Sequence, residues 1–144
     1  MDKRRSRIVV AFVLDASVTA SWFLSEPPHP HVKIAGRRIR TETAVSPTLW
    51  WYEVRNIVVV AERRKRLTPL EVDTAWRQLL LLSVQLETPD PQISLVIARR
   101  HGLSFYDAAY VELALRLGLE LATRDNAMAT AAQSEGIPLI GPTQ

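Results

Sequence analysis

A parallel α/β fold is predicted by three features of the sequence. Ile8 to Leu14 is an unbroken apolar run rich in β-branched residues, the pattern of a strand buried on both faces. Short apolar segments then alternate with longer, helix-periodic ones, which implies right-handed βαβ crossovers. Several helix-length segments open on Thr or Pro and close at Gly. The 144 residues are 47% hydrophobic and 23% charged, enough apolar material for one packed core and too short a chain for two. A single domain over 1–144 is expected, with residues 1–7 as a basic tail that needs no fixed structure.

The elements follow in order. After the Ile8–Leu14 strand, a short helix is expected around Val18 to Leu24, closed by the turn Glu26-Pro27-Pro28. His31 to Arg40 reads as helical and Ala44-Val45-Ser46 as a strand. Pro47 and Thr48 open a long helix to about Arg64. Thr68-Pro69-Leu70-Glu71 caps the next, which runs to about Leu82 and presents Val72, Trp76, Leu79 and Leu80. Val84-Gln85-Leu86 is a strand, Pro91 to His101 a helix stopped by Gly102, and Ser104 to Leu117 a helix stopped by Gly118. Leu119 to Thr123 is a strand, Asn126 to Glu135 a helix, and Ile137 to Ile140 a final strand.

Composition narrows the chemistry. With no cysteine there is no disulfide framework, thiolate metal site or cysteine nucleophile, and the chain suits the cytoplasm. No apolar run approaches the roughly 20 residues that cross a bilayer, so no membrane association is expected. Met1-Asp2-Lys3-Arg4-Arg5-Ser6-Arg7 before an apolar run resembles a signal peptide, but Asp15 ends the run early and no convincing cleavage site follows. The net charge of +3 points mildly to an anionic partner. Arg37, Arg38 and Arg40, and Arg63 to Arg66, cluster, although such runs read first as solvated helix ends rather than nucleic-acid contacts.

Four acids sit where ordinary packing does not require them. Asp15 ends the first strand, at the sheet edge where α/β proteins bind ligands; it is also placed to cap a helix, a task Ser17 could perform instead. Glu53 shares a helix face with Leu49, Ile57 and Ala61, so it is an interior acid, a salt-bridge partner or a border residue. Asp107 completes an S-x-x-D capping pattern, and Asp125 precedes a helix it could cap. Convergence of the four would concentrate like charge that a cation relieves. Magnesium, a hard ion that prefers oxygen ligands, suits such a set and can hold and polarise a phosphodiester.

Val13-Leu14-Asp15-Ala16-Ser17-Val18, Tyr52-Glu53-Val54, Tyr106-Asp107-Ala108-Ala109-Tyr110-Val111-Glu112-Leu113-Ala114 and Leu121-Ala122-Thr123-Arg124-Asp125 resemble, in order, the motifs of PIN-domain ribonucleases. More narrowly they resemble those of VapC toxins. The resemblance implies a PIN-like three-layer α/β/α sandwich with a mainly parallel sheet. It implies a Mg2+-dependent endoribonuclease, with Mn2+ able to substitute, in which metal-activated water attacks an RNA phosphodiester. Asp15, Glu53, Asp107 and Asp125 match the family's catalytic, metal-holding acids, while Ser17 and Thr123 match supporting positions that orient the acids or hold waters. A cap and a strand-end hydroxyl are their ordinary alternatives. A VapB-type antitoxin and a homodimer are implied as partners, with Trp22 and Trp51 as antitoxin contacts.

Other readings have less support. A receiver domain would need paired acids after its first strand and a late lysine, and a haloacid-dehalogenase phosphatase would need Asp where Ser17 stands. A silent binding or signalling domain of the same fold would be marked by a lost acid, and all four are present. Housekeeping RNA processing is the nearest alternative, distinguished by the absence of a small antitoxin gene upstream. His29, His31 and His101 fall outside the motifs and are expected at the surface.

Overall fold

The computed structural model describes residues 10–24, 26–27 and 29–141. The expected basic tail 1–7, the first two residues of the Ile8–Leu14 strand and Pro28 of the expected turn lie outside the described residues. Four strands, β1 (Ala11–Leu14), β2 (Thr43–Pro47), β3 (Val84–Glu87) and β4 (Glu120–Ala122), form an all-parallel sheet in the order β3-β2-β1-β4. Among the described residues seven helices cover it: α1 (Ala16–Ser21), α2 (Pro30–Arg38), α3 (Leu49–Arg63), α4 (Pro69–Leu81), α5 (Pro91–His101), α6 (Phe105–Leu117) and α7 (Asn126–Ser134).

The strand order decides which face each helix takes. From β1 to β2 to β3 the chain steps one way across the sheet, so right-handed crossovers put α1 to α4 on one face. The return from β3 to β4 runs the other way and puts α5 and α6 on the opposite face, completing three layers. Accordingly α6 lies along β1, β2 and β4 with α5 and α7 against it, while α1 packs between α2 and α3. Phe12, Val13, Leu14, Leu121 and Ala122 are fully buried, as expected of central strands with both faces covered. Each fully buried Leu or Phe contributes roughly 1.5–3 kcal/mol relative to exposure.

Three details differ from expectation. The chain turns into α1 at Ala16, two residues early, because Asp15 already takes extended backbone geometry at the cap position. On α4 the buried stripe is Ala75 and Leu79, whereas Leu80 is 74% and Trp76 38% exposed. The short Ala75, rather than Trp76, allows α4 to approach Val58 and Ala61 of α3. The expected last strand is reduced to one parallel bridge, Leu121 to Leu139. Two backbone bonds hold it (Leu121 N–H to Pro138 O and Ile140 N–H to Leu121 O), and Pro138, lacking an N–H, adds no further rung.

The topology creates one place of divergence. β1 and β4 are neighbours, yet the chain leaves β1 toward α1 on one face and β4 toward α7 on the other. Such a switch point opens a crevice at the carboxyl edge. Gly118, at φ +65, ends α6 and turns the chain into β4, so Thr123 to Asp125 emerge beside Asp15.

Candidate active site

Asp15 follows β1 directly and its backbone N–H continues the ladder to Ala122 O at 3.0 Å, which fixes it against the end of β4. Its carboxylate does not cap α1. Instead Oδ2 accepts hydrogen bonds from the hydroxyls of Ser17 at 2.6 Å and Thr123 at 2.8 Å. Each hydroxyl also accepts a backbone N–H from the loop after β4: Arg124 N–H to Ser17 Oγ at 3.2 Å and Asp125 N–H to Thr123 Oγ1 at 3.0 Å. Two relays therefore run from the β4–α7 loop through hydroxyls onto one carboxylate oxygen. Burial pushes the Asp15 carboxyl up, the hydroxyls draw it back, and the charge of Asp107 adds a further upward push.

Glu53 projects from the second turn of α3 at the border of its apolar face, where Trp50, Val54 and Val58 are buried. Its Oε1 accepts a 2.7 Å hydrogen bond from the Tyr110 hydroxyl of α6. Burial raises its carboxyl to about 7; Tyr110 opposes the rise, while Asp15 and Asp107 reinforce it. Asp107 lies in the first turn of α6. Ser104 caps that helix by accepting the Asp107 N–H at 3.1 Å, but the returning bond from the Asp107 carboxylate is not made. Thr68 and Glu71 form both halves of the same motif on α4. The Asp107 carboxylate thus stands outside the capping box; burial and the charge of Asp125 push it up, and the Ser104 side chain draws it partly back. Asp125 does cap, accepting the Met128 N–H through Oδ1 at 2.8 Å.

The acids thus influence one another in a connected set: Asp15 with Asp107, Glu53 with both, and Asp107 with Asp125. Among the described residues, no three Asp, Glu, His or Cys side chains stand together as a ready-formed metal-ligand group. The donor chemistry nevertheless fits a hard divalent cation: carboxylate and hydroxyl oxygens only, with mutual repulsion that such an ion relieves. Glu112 shows the contrast. It is wholly buried, yet the Arg116 guanidinium pairs with it at 2.7 Å, so its charge is already neutralised.

Of the expected residues, the structure brings Asp15, Ser17 and Thr123 into direct contact and couples Glu53, Asp107 and Asp125 to them through charge. Trp22 and Trp51 lie elsewhere. The Trp22 indole donates to Val32 O at 3.0 Å and lines a groove of about 680 Å3 between α2 and α4. Trp51, 43% exposed on α3, has the Arg55 guanidinium 3.9 Å over its ring. His29 caps α2 through a bond from the His31 N–H, and His101 pairs with Glu135, so none of the three histidines joins the acids. Two participants escaped the sequence reading. Tyr110, one turn beyond Asp107, enters the sequence reading only as part of a motif, and the available signal is its place at i+3 from an acid on a short-residue helix face. Arg124 reads as a loop residue; its role depends on Glu26, 98 positions away in sequence.

A doubly wound parallel sheet carrying carboxylates at its switch point is the class of protein so defined. The chain matches the PIN domain over residues 12–134, a span that includes all four acids, and it belongs to that family of nucleases, which generally use divalent metals. No curated protein matches it. Among solved structures, PAE2754 of Pyrobaculum aerophilum is similar at 23% identity and a TM-score of 0.69, covering 88% of this chain and 87% of that one. FitAcB of Neisseria gonorrhoeae gives 20% and 0.65, covering 91% and 97%. VapC20 of Mycobacterium tuberculosis, described as a sarcin–ricin loop cleaving toxin, gives 16% and 0.60, covering 91% and 99%. At these identities the likeness is one of fold. No helix among the described residues is long and apolar enough to cross a membrane.

Proposed function

We propose that this chain is a magnesium-dependent endoribonuclease acting in the cytoplasm as the toxin half of a VapBC-type pair. The observation that carries the reading is the fixing of Asp15 by two hydroxyls at the switch point, with Glu53 and Asp107 coupled to it. The toxin structures among its fold relatives support the biological setting.

Asp15, Glu53, Asp107 and Asp125 would hold Mg2+, for which Mn2+ would substitute. Bound there, the ion would polarise the phosphodiester and offset the charge that builds up during water attack. The chain's own residues do the rest. Ser17 and Thr123 keep Asp15 in one rotamer, and the relays tie that rotamer to the loop bearing Asp125. Tyr110 fixes Glu53 through Oε1, leaving Oε2 to face the ion or orient the attacking water. Water would add to phosphorus and lose its proton to solvent or a neighbouring carboxylate, the bond to the leaving ribose oxygen would break, and that oxygen would take up a proton from solvent.

The antitoxin would reach the acids with a cationic side chain, attracted by their charge, and anchor on Trp51 and in the Trp22 groove. A homodimer is part of the same proposal. Expression of the wild-type chain should arrest growth, and Asp15→Asn or co-expression of a small protein encoded immediately upstream should relieve the arrest. Unimpaired growth, or arrest that Asp15→Asn leaves intact, would count against a toxin nuclease. Arrest with no such neighbouring gene would favour housekeeping RNA processing.

A further inference from the structure

Beside the acids, a cleft of about 370 Å3 is lined by Ser17, Ser21 and Glu26 on the α1 side, Arg66 beyond α3, and Arg124 and Asp125 after β4. Its charges are organised. Glu26 is gripped by Arg66 at 3.0 Å and by Arg124, whose Nη1 also donates to Ser21 Oγ at 2.8 Å. Burial alone would raise the Glu26 carboxyl, but the two guanidiniums outweigh it and hold it low. Two cations share Glu26, so this trio is net positive; Asp125, which also lines the cleft, balances it in the metal-free chain.

The arginines are also not used up. Among the described residues, Arg124 spends only Nη1 on hydrogen bonds, leaving Nε and Nη2 unpaired, and its side chain is 33% exposed. A guanidinium edge with two parallel N–H groups matches two oxygens of a phosphate. Arg124 is, moreover, registered to the chemistry by its own backbone. Its N–H reaches Ser17 Oγ, which in turn donates to Asp15. A phosphate held on this side chain is therefore held at a set distance from the acids.

We propose that the cleft is a subsite for a non-scissile backbone phosphate of single-stranded RNA, with Arg124 its contact and Glu26 the group that holds Arg124 in position. This rests on the ribonuclease reading above and adds to it the direction in which the strand leaves the acids. Glu26 restrains the guanidinium while leaving its outer edge free, which lowers the ordering cost when RNA arrives. It also opposes RNA with its own charge. Glu26→Gln keeps an oxygen that accepts from Arg124 while removing this charge, so it and Arg124→Ala should have opposite effects on RNA, which distinguishes a subsite from a structural clamp.

The test uses the full chain carrying Asp107→Asn to prevent cleavage, and a mixed-sequence fluorescent oligoribonucleotide with magnesium present. Affinity is measured by anisotropy over a salt series, alongside a thermal melt of each variant. Arg124→Ala should weaken binding several-fold and reduce the slope of log K against log salt by about 0.7, the loss of one phosphate contact on a single strand. Arg124→Lys should keep the slope with weaker affinity, and Glu26→Gln should tighten binding. A clamp alone would lower the melting temperature of both variants and shift affinity in the same direction or not at all, which overturns the subsite. Loss of binding to an upstream-encoded partner by Arg124→Ala, with RNA affinity unchanged, overturns it too. If RNA binds none of these proteins and the wild type cleaves none with magnesium, the ribonuclease reading fails and takes the subsite with it. Cleavage by the wild type with Arg124→Ala binding intact removes the subsite alone.

Discussion

The Tyr110 hydroxyl donates a 2.7 Å hydrogen bond to Glu53 Oε1, joining α6 to α3 across the carboxyl edge of the sheet. Tyr110 is fully buried, and burial together with the charges of Asp15 and Glu53 drives its hydroxyl far above the usual phenol range, so it remains a donor at any working pH. Tyr110→Phe removes this bond and the weaker contact of the hydroxyl with the Ala16 backbone while keeping the ring. Hydrogen bonds to charged groups contribute about 1.5–3 kcal/mol, so cleavage should fall by about tenfold or more if Glu53 loses its orientation. Without the donor the Glu53 proton should also be held more tightly, moving the acid limb of a rate–pH profile upward. An unchanged profile would show that Tyr110 merely fills space.

Metal-free stability should fall as pH rises from about 4.5 to about 7. In the folded chain Glu53 releases its proton near 7, against an ordinary value of 4.5, and Asp15 and Asp107 move in the same direction. The folded state therefore binds more protons than the unfolded one in this window, and stability declines with rising pH. Glu26 and Glu135 are shifted down, so their stabilisation is already complete above the ordinary carboxylate range. Melts across this window should lose a few degrees toward neutral pH, and magnesium should flatten the trend by keeping the acids ionised at no cost. A melting temperature that climbs over the window would contradict the raised acids.

Asp107 and Asp125 should separate by their caps. Ser104 caps α6 without help from the Asp107 carboxylate, so Asp107→Asn should raise the metal-free melting temperature by relieving repulsion and shrink the manganese-induced shift. Asp125 is itself a cap through Met128. Asn preserves that role, so Asp125→Asn should stay as stable as wild type but lose cleavage. Asp125→Ala should lose cleavage and about 1 kcal/mol of stability. Differential scanning fluorimetry with and without manganese, beside a cleavage assay, checks all three. An Asp107→Asn chain that melts lower with an undiminished manganese shift would make Asp107 a structural residue.

The hydroxyls of Ser17 and Thr123 both act on Asp15 Oδ2. Thr123→Val, nearly the same shape, should cut cleavage by roughly tenfold for one lost bond to a charged group, while the double variant with Ser17→Ala should lose more than the sum. Additive losses would mean the two relays do not converge.

Much of the candidate site was legible because a carboxylate at a strand end leaves a local mark. Asp15 and Asp125 follow apolar runs, and Asp107 follows a glycine stop, so position alone nominated them. Glu53 stood out as a carboxylate in an apolar stripe. Relations closing over long separations left no such mark: Tyr110 to Glu53, Thr123 to Asp15, and Glu26 between Arg66 and Arg124 depend on the crossovers, not on spacing. Helix boundaries were read well where Thr, Pro or Gly punctuates the chain. The stripe on α4 was misplaced because hydrophobicity favoured Trp76 and Leu80, whereas close packing with α3 favoured Ala75. The last strand was overextended because its apolar residues outweighed Pro138, whose missing N–H limits the ladder.

The central claim is that the four acids act together as a divalent-metal nuclease centre for RNA. Its most direct measurement is incubation of the purified chain with total RNA, with magnesium or with chelator, followed by mapping of the cut ends. Asp15→Asn, Glu53→Gln, Asp107→Asn and Asp125→Asn proteins are run in parallel. The account predicts discrete cuts with magnesium, none with chelator, and loss or near-loss of cutting in each folded variant. Cutting that persists in chelator, or near-wild-type cutting by two or more of the four variants, would contradict it.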